Sequence, residues 1–149
     1  MILVDQWFDD EYQEKLIIKD LSQYEEIQFA YLQSLITENE DYISHIIDES
    51  LIDIDKRAEA SRCQRYLKLH IELLCKFEPT QVIDYCKKEY YPIKECLEVC
   101  LKQKADHGVA WLQKRNGDYF QALNTYLAII EKEVDLLQLM KNLSTYQKQ

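Results

Sequence analysis

A chain of 149 residues with 47% hydrophobic residues has enough apolar material for one compact domain or a short run of helical repeats. Its two glycines and two prolines are too few for an all-β fold or a glycine-rich phosphate-binding loop. A formal charge of −9 argues against nucleic acid, which needs clustered Lys and Arg to displace counterions, and against adsorption to anionic lipid.

Apolar residues recur at three- and four-residue intervals along most of the chain, the helical period. Phe8, Tyr12 and Leu16 suggest a first, weak helix. Ser22 and Glu25 form a capping-box pattern before a clearer one, with a stripe of Tyr24, Ile27, Tyr31 and Leu35. Thr37 and Glu40 repeat the pattern, and Ile43, Ile47, Leu51 and Ile54 fit the face of a third helix. No breaker marks the turn between about residues 50 and 60, where the density of Asp and Glu suits an exposed acidic loop. The stretch from Arg62 to Phe77 carries a broad apolar face of Cys63, Tyr66, Leu67, His70, Leu73, Leu74 and Phe77. Pro79 then opens a short helix with Val82, Ile83 and Cys86, because proline suits a helix's first turn and not its middle. Pro92 does the same for a helix that puts Ile93, Cys96, Leu97 and Cys100 on one side and Lys94, Glu95 and Glu98 on the other. Asp106 is placed to cap the helix of Val109, Ala110 and Leu112.

Gly117 marks the sharpest turn. A helix end requires a residue at positive φ, which glycine adopts without strain, and Asn116 favours turning. Asp118 and Gln121 have the spacing of a cap for the last helix, which carries Ala122, Leu123, Tyr126, Ile130, Val134 and Leu137 and runs to about Ser144. Short helices joined by tight turns fold back on one another, so the expected fold is all-α, an α-solenoid of antiparallel helical hairpins. Helices of unequal length with broad apolar faces favour the solenoid over a closed bundle. Apolar ends, Trp7 and Phe8 at one and Met140 and Leu143 at the other, give the expectation of a fragment of a longer solenoid.

The stretch AWLQKRNGDYFQALNTYL is similar to a tetratricopeptide helix-turn-helix, with Ala110, Gly117, Ala122 and Tyr126 at its small, turn, small and aromatic positions. The repeat period of about 34 residues is not kept, since IDYCKK upstream has no counterpart turn. From Tyr66 to Ile130 the order is YLKLHIELLCKFEPTQVIDYCKK, then YPIKECLEVC, then AWLQKRNGDYFQALNTYLAII. This resembles the clathrin heavy-chain-type repeat of endolysosomal tethering subunits, most of all the large subunit specific to CORVET and then the corresponding HOPS subunit. The likeness is best over residues 62–130 and weaker over 1–60. It implies one helical-repeat segment over residues 1–149 of a far longer subunit. It also implies a cytoplasmic protein held peripherally on endosomal or vacuolar membranes, with other tethering subunits as partners and a Rab-type GTPase reached through the full-length protein.

Cys96 and Cys100, one turn apart, have the spacing of half a metal site with His107 as the nearest further ligand. No second Cys/His pair follows at zinc spacing, so they are read as small core residues. The five cysteines are odd in number and frame no loop, which suits a reducing compartment. His70 shares its face with Tyr66 and Leu74 and is read as a hydrogen-bonded core histidine; His45 and His107 are read as surface residues. The acidic pairs Glu25-Glu26, Asp53/Asp55 and Glu131/Glu133 are read as solvated faces, and Tyr90-Tyr91 and Tyr119 as turn residues in ordinary packing at helix junctions, with a partner contact as the alternative. No catalytic, cofactor or metal residues are assigned. MILV is followed at once by acidic residues, unlike a signal peptide, and no apolar run reaches the roughly 18 residues of a membrane span. The reading is therefore a non-catalytic scaffold of a CORVET/HOPS-like tethering subunit, with no nucleic acid and no direct membrane insertion. The alternative is a free-standing TPR-like adaptor that binds peptide segments of partner proteins.

Overall fold

A computed structural model describes residues 14–147, and these are helical throughout, with no strand among them. The chain is all-α as expected. Seven α-helices follow in order: α1 Glu25–Glu38, α2 Glu40–Ser50, α3 Arg57–Phe77, α4 Val82–Cys86, α5 Ile93–Gln103, α6 Asp106–Arg115 and α7 Tyr119–Gln147. Their lengths run from five residues to 29, unequal as the spacing suggests. The expected first helix rests on Phe8 and Tyr12, outside the described residues. Its last member, Leu16, opens a π-helical turn, Leu16–Asp20, whose Ile17 is buried.

The π turn is tied to α1 by Gln28, whose amide donates to the Ile17 carbonyl at 2.8 Å. That bond explains a rotated face. The expected stripe included Tyr24 and Ile27, but both are exposed; the buried side is Gln28, Leu32, Leu35 and Ile36. Ser22 does not cap α1. Its hydroxyl donates back to Lys19, and Tyr24 stands at the N-cap without a side-chain bond. Thr37 likewise lies inside α1. The break falls at Asn39, whose side chain donates to the Leu35 carbonyl at 2.7 Å and satisfies a helix-end acceptor.

α2 buries Ile43 and Ile46 and stops at Ser50, whose hydroxyl donates to Ile47. Leu51 and Ile54 therefore miss the face expected of them and stand exposed, with Ile52 between them at 91% exposure. Asp53 accepts from the Asp55 amide and starts a 3₁₀ turn, Ile54–Lys56, that feeds straight into α3. α3 begins five residues before Arg62 and is the interior spine. Ala60, Cys63, Tyr66, Leu67, His70, Ile71, Leu73 and Leu74 are buried along it, close to the face expected. Pro79 opens a 3₁₀ turn before α4, and Pro92, in extended conformation, is the N-cap of α5.

Gly117 has φ +88°, as the turn requires. The Asp118 amide donates to the Gln113 carbonyl and the Gly117 amide to Lys114, the paired bonds of a Schellman turn. α5 ends in the same way, but with Lys104 at φ 58°, the Ala105 amide on Cys100 and the Lys104 amide on Leu101. Ala105, not Asp106, is the N-cap of α6; the Asp106 carboxylate instead holds Lys132 of α7 at 2.8 Å. The Asp118 carboxylate accepts from the Asn116 amide.

The main helix contacts form a line. α1 and α2 pack on α3, α3 on α5, α5 on α6, and α6 most extensively on α7, while α4 bridges α3 and α6. Arg115 clasps the loop between α4 and α5, donating to the Cys86, Lys88 and Glu89 carbonyls at 3.4, 3.1 and 2.8 Å. Glu40, at the start of α2, holds the same loop through Lys88 and the Tyr90 hydroxyl, and these donors lower its carboxyl pKa.

Candidate interaction surface

The interior places the titratable candidates in packing roles. His70 is fully buried on α3. Its Nε2 faces the Gln33 carbonyl oxygen at 3.4 Å, so Nε2 carries the proton and Nδ1 accepts from the Tyr91 hydroxyl at 2.7 Å. Tyr85 meets the ring edge-on and Phe29 stacks beside it. Burial lowers its pKa to about 4, so the imidazole is neutral at pH 7. Its hydrogen-bond partners are the buried Tyr91 hydroxyl and the Gln33 side chain. Tyr91 is buried in the same cluster and is closed to a partner, whereas Tyr119 is 69% exposed.

Cys96 and Cys100 lie buried on the packing face of α5. Cys100 shares hydrogen bonds with Cys75 of α3, which lowers its pKa, and with Cys86 of α4, which with burial raises it to a net value of about 12. Burial also raises the Cys96 thiol, and the Cys75 thiol is raised first by its hydrogen bond with Cys100 and then by burial, so neither is a thiolate at pH 7. No group of three or more ligating side chains is arranged for a metal ion among the described residues.

One residue of this cluster escaped the sequence reading. A Cβ on Gly108 would lie 3.1 Å from the Cys100 sulfur and 3.2 Å from Val82, so glycine lets α6 approach α4 and α5. No local signal marks this role, because Gly108 stands in the first turn of α6 and the groups that crowd it come from α4 and α5.

The surface is where the chain has chemistry left over. α7 runs 29 residues, yet only Ala122 and Ile129 are buried. These two, with Leu136 and Leu143, recur every seven residues and form one stripe along the inner side of the helix. α6 covers its first half. Past Ile130 every described residue of α7 is exposed, so Leu136, Met140 and Leu143 continue the stripe uncovered. A second stripe, Leu123, Leu127, Ile130, Val134 and Leu137, faces outward at alternating spacings of four and three, with each side chain 49–65% exposed. Lys132 pins the helix to α6 through Asp106, and Thr125 does so through Gln113 at 2.7 Å. Contiguous apolar surface on this scale is found at protein or membrane contacts and at ligand grooves. The sequence reading listed Leu123, Ile130, Val134 and Leu137 together with the buried Ala122 and half-buried Tyr126, and so ran the two stripes into one.

Elsewhere Pro79, Val82, Ile83, Gly108 and Ile129 floor a groove of about 520 Å³ between α4, α6 and α7. No described helix is long and apolar enough to cross a membrane. His45 pairs with Glu49 on the surface and His107 is exposed, as read from the sequence. A scan of family models, a search of curated proteins and a search of solved structures each gave no match.

Proposed function

We propose that this chain is a non-catalytic scaffold segment of an α-solenoid, part of a CORVET/HOPS-like vesicle-tethering subunit in endosomal or vacuolar protein transport. Its work is spacing and docking: it holds other protein subunits of the complex and has no reaction of its own. It acts in the cytoplasm, peripherally on the membrane, with a Rab-type GTPase engaged through the whole subunit. The observation that carries the reading is the inner stripe of α7, which begins under α6 and continues bare through Leu136, Met140 and Leu143. In a solenoid each layer buries its apolar face on the next, and a further antiparallel hairpin laid along α7 would cover these residues. The line of contacts from α1 to α7, and the neutral, hydrogen-bonded His70 in place of a reactive one, also support it.

Affinity purification of the endogenous protein, with mass spectrometry of bait and prey, tests the reading. Tethering subunits recovered with the bait, and lost when Leu136 and Leu143 are changed to serine, are the expected result. Recovery without any such subunit contradicts it. The groove beside Ile129 favours a second reading, a TPR-like adaptor holding a partner's peptide. That reading requires the Ile83→Asp variant to release the bound partner while the α7 variants keep it.

A further inference from the structure

We infer that a second copy of this chain docks on the outer stripe of α7, the two helices lying antiparallel about an axis at Ile130. The stripe is nearly palindromic. Reversing the stripe about Ile130 sets Leu123 against Leu137 of the other copy and Ile130 against itself, while Leu127 and Val134 meet one residue out of register. A two-fold interface needs this self-complementarity, in which residue i meets j and j meets i. Alternating spacings of three and four residues suit knobs-into-holes packing between two helices.

The area is sufficient. Five side chains at 49–65% exposure present roughly 500 Å² of apolar surface per copy, about 1,000 Å² for the pair, the lower end for a specific interface. The outer stripe lies on a different side of the helix, about a third of a turn from Ala122 and Ile129. Tyr126 falls level with Val134 of the other copy, and Leu127 level with Glu133. The two Glu131 carboxylates approach near the axis. They oppose one another, as do the net charges of −9, so association tightens as salt screens them. The inference does not rest on the tethering reading: the inner stripe, which that reading uses, stays free in the pair.

Sedimentation velocity on the purified full chain, from about 1 to 200 μM, is the test. The expected result is a mass that rises from 17.9 kDa to twice that value with concentration, at lower concentration in higher salt. The variants Leu127→Glu and Val134→Glu, at exposed positions, should keep the wild-type circular dichroism and weaken association at least about tenfold. Orientation is read by mixing Leu123→Cys with Leu137→Cys chains under an oxidant: the mixed disulfide is expected. A single 17.9 kDa species throughout overturns the inference, as does open-ended association. Dimers whose disulfide joins two Leu123→Cys chains overturn the antiparallel pairing.

Discussion

Lys104 and Gly117 occupy the same position in two Schellman turns, and only one has the residue that the position favours. A left-handed conformation costs an L-residue about 1–2 kcal/mol. Replacing Lys104 by Gly should therefore raise stability by about 0.5–1 kcal/mol in urea unfolding, and replacing Gly117 by Ala should lower it by about 1 kcal/mol. No atom lies within 4 Å of a Cβ built on Gly117, so that loss would be purely conformational. If Lys104→Gly proved neutral or destabilising, the backbone account of the α5 end would be wrong. Gly108 differs because its constraint is space: Gly108→Val should cost about 1–3 kcal/mol by overpacking against Cys100 and Val82. Gly117 was legible from the sequence because a turn signal is local. Gly108 was not, because its neighbours come from two other helices.

His70 makes a second prediction at this scale. Its folded pKa of about 4 lies below the ordinary 6.5, so the folded state favours the neutral ring. The unfolded chain takes up a proton first as pH falls, and stability present above pH 6.5 declines between about 6.5 and 4, by up to about 3 kcal/mol in all. An NMR titration checks this directly. The His70 ring should show no titration above about pH 5, and a midpoint near 6.5 would contradict its burial against Tyr91 and Gln33.

At the scale of elements, faces were legible where apolar residues alone make them and lost where a polar residue joins them. α3 was read almost as found, because its buried side is nearly all apolar apart from His70. α1 was rotated, because Gln28 is buried to satisfy the Ile17 carbonyl and no hydrophobic period shows that. Both capping boxes failed for a related reason: Asn39 ends α1 with a bond to Leu35, and Tyr24 precedes it without a side-chain cap. In α7 the surplus of apolar residues hid two stripes within one pattern. Their difference is testable. Ile129→Ala should cost about 2 kcal/mol by opening a cavity against α6. Leu136→Ala and Leu143→Ala should shift stability by less than about 0.5 kcal/mol. A large loss at Leu143 would mean that this half of the helix already has a partner within the chain.

At the scale of the molecule, the contacts run in line from α1 to α7 and the spine is α3. Stability in such an arrangement sums over neighbours, so the end with one neighbour opens first. Amide hydrogen exchange should be fastest past Ile130, intermediate in α6 and slowest in the middle of α3 around Leu67 and Ile71. Uniform protection along α7 would contradict the linear order. The helix content was legible from composition. The apolar end of α7 at Met140 and Leu143 was legible too, but which of its stripes packs on α6 was not, because one sequence does not say which apolar faces meet.

The most direct test of a docking role for α7 is cross-linking mass spectrometry on the endogenous complex, read at Lys132 and Lys141. Lys132 reaches Asp106 within the chain, while Lys141 stands on the exposed part of α7. Cross-links from Lys141 to another polypeptide, with the Lys132 region still linked to α6, are the predicted result. Cross-links from Lys141 confined to its own chain, in a protein that sediments alone, would contradict it.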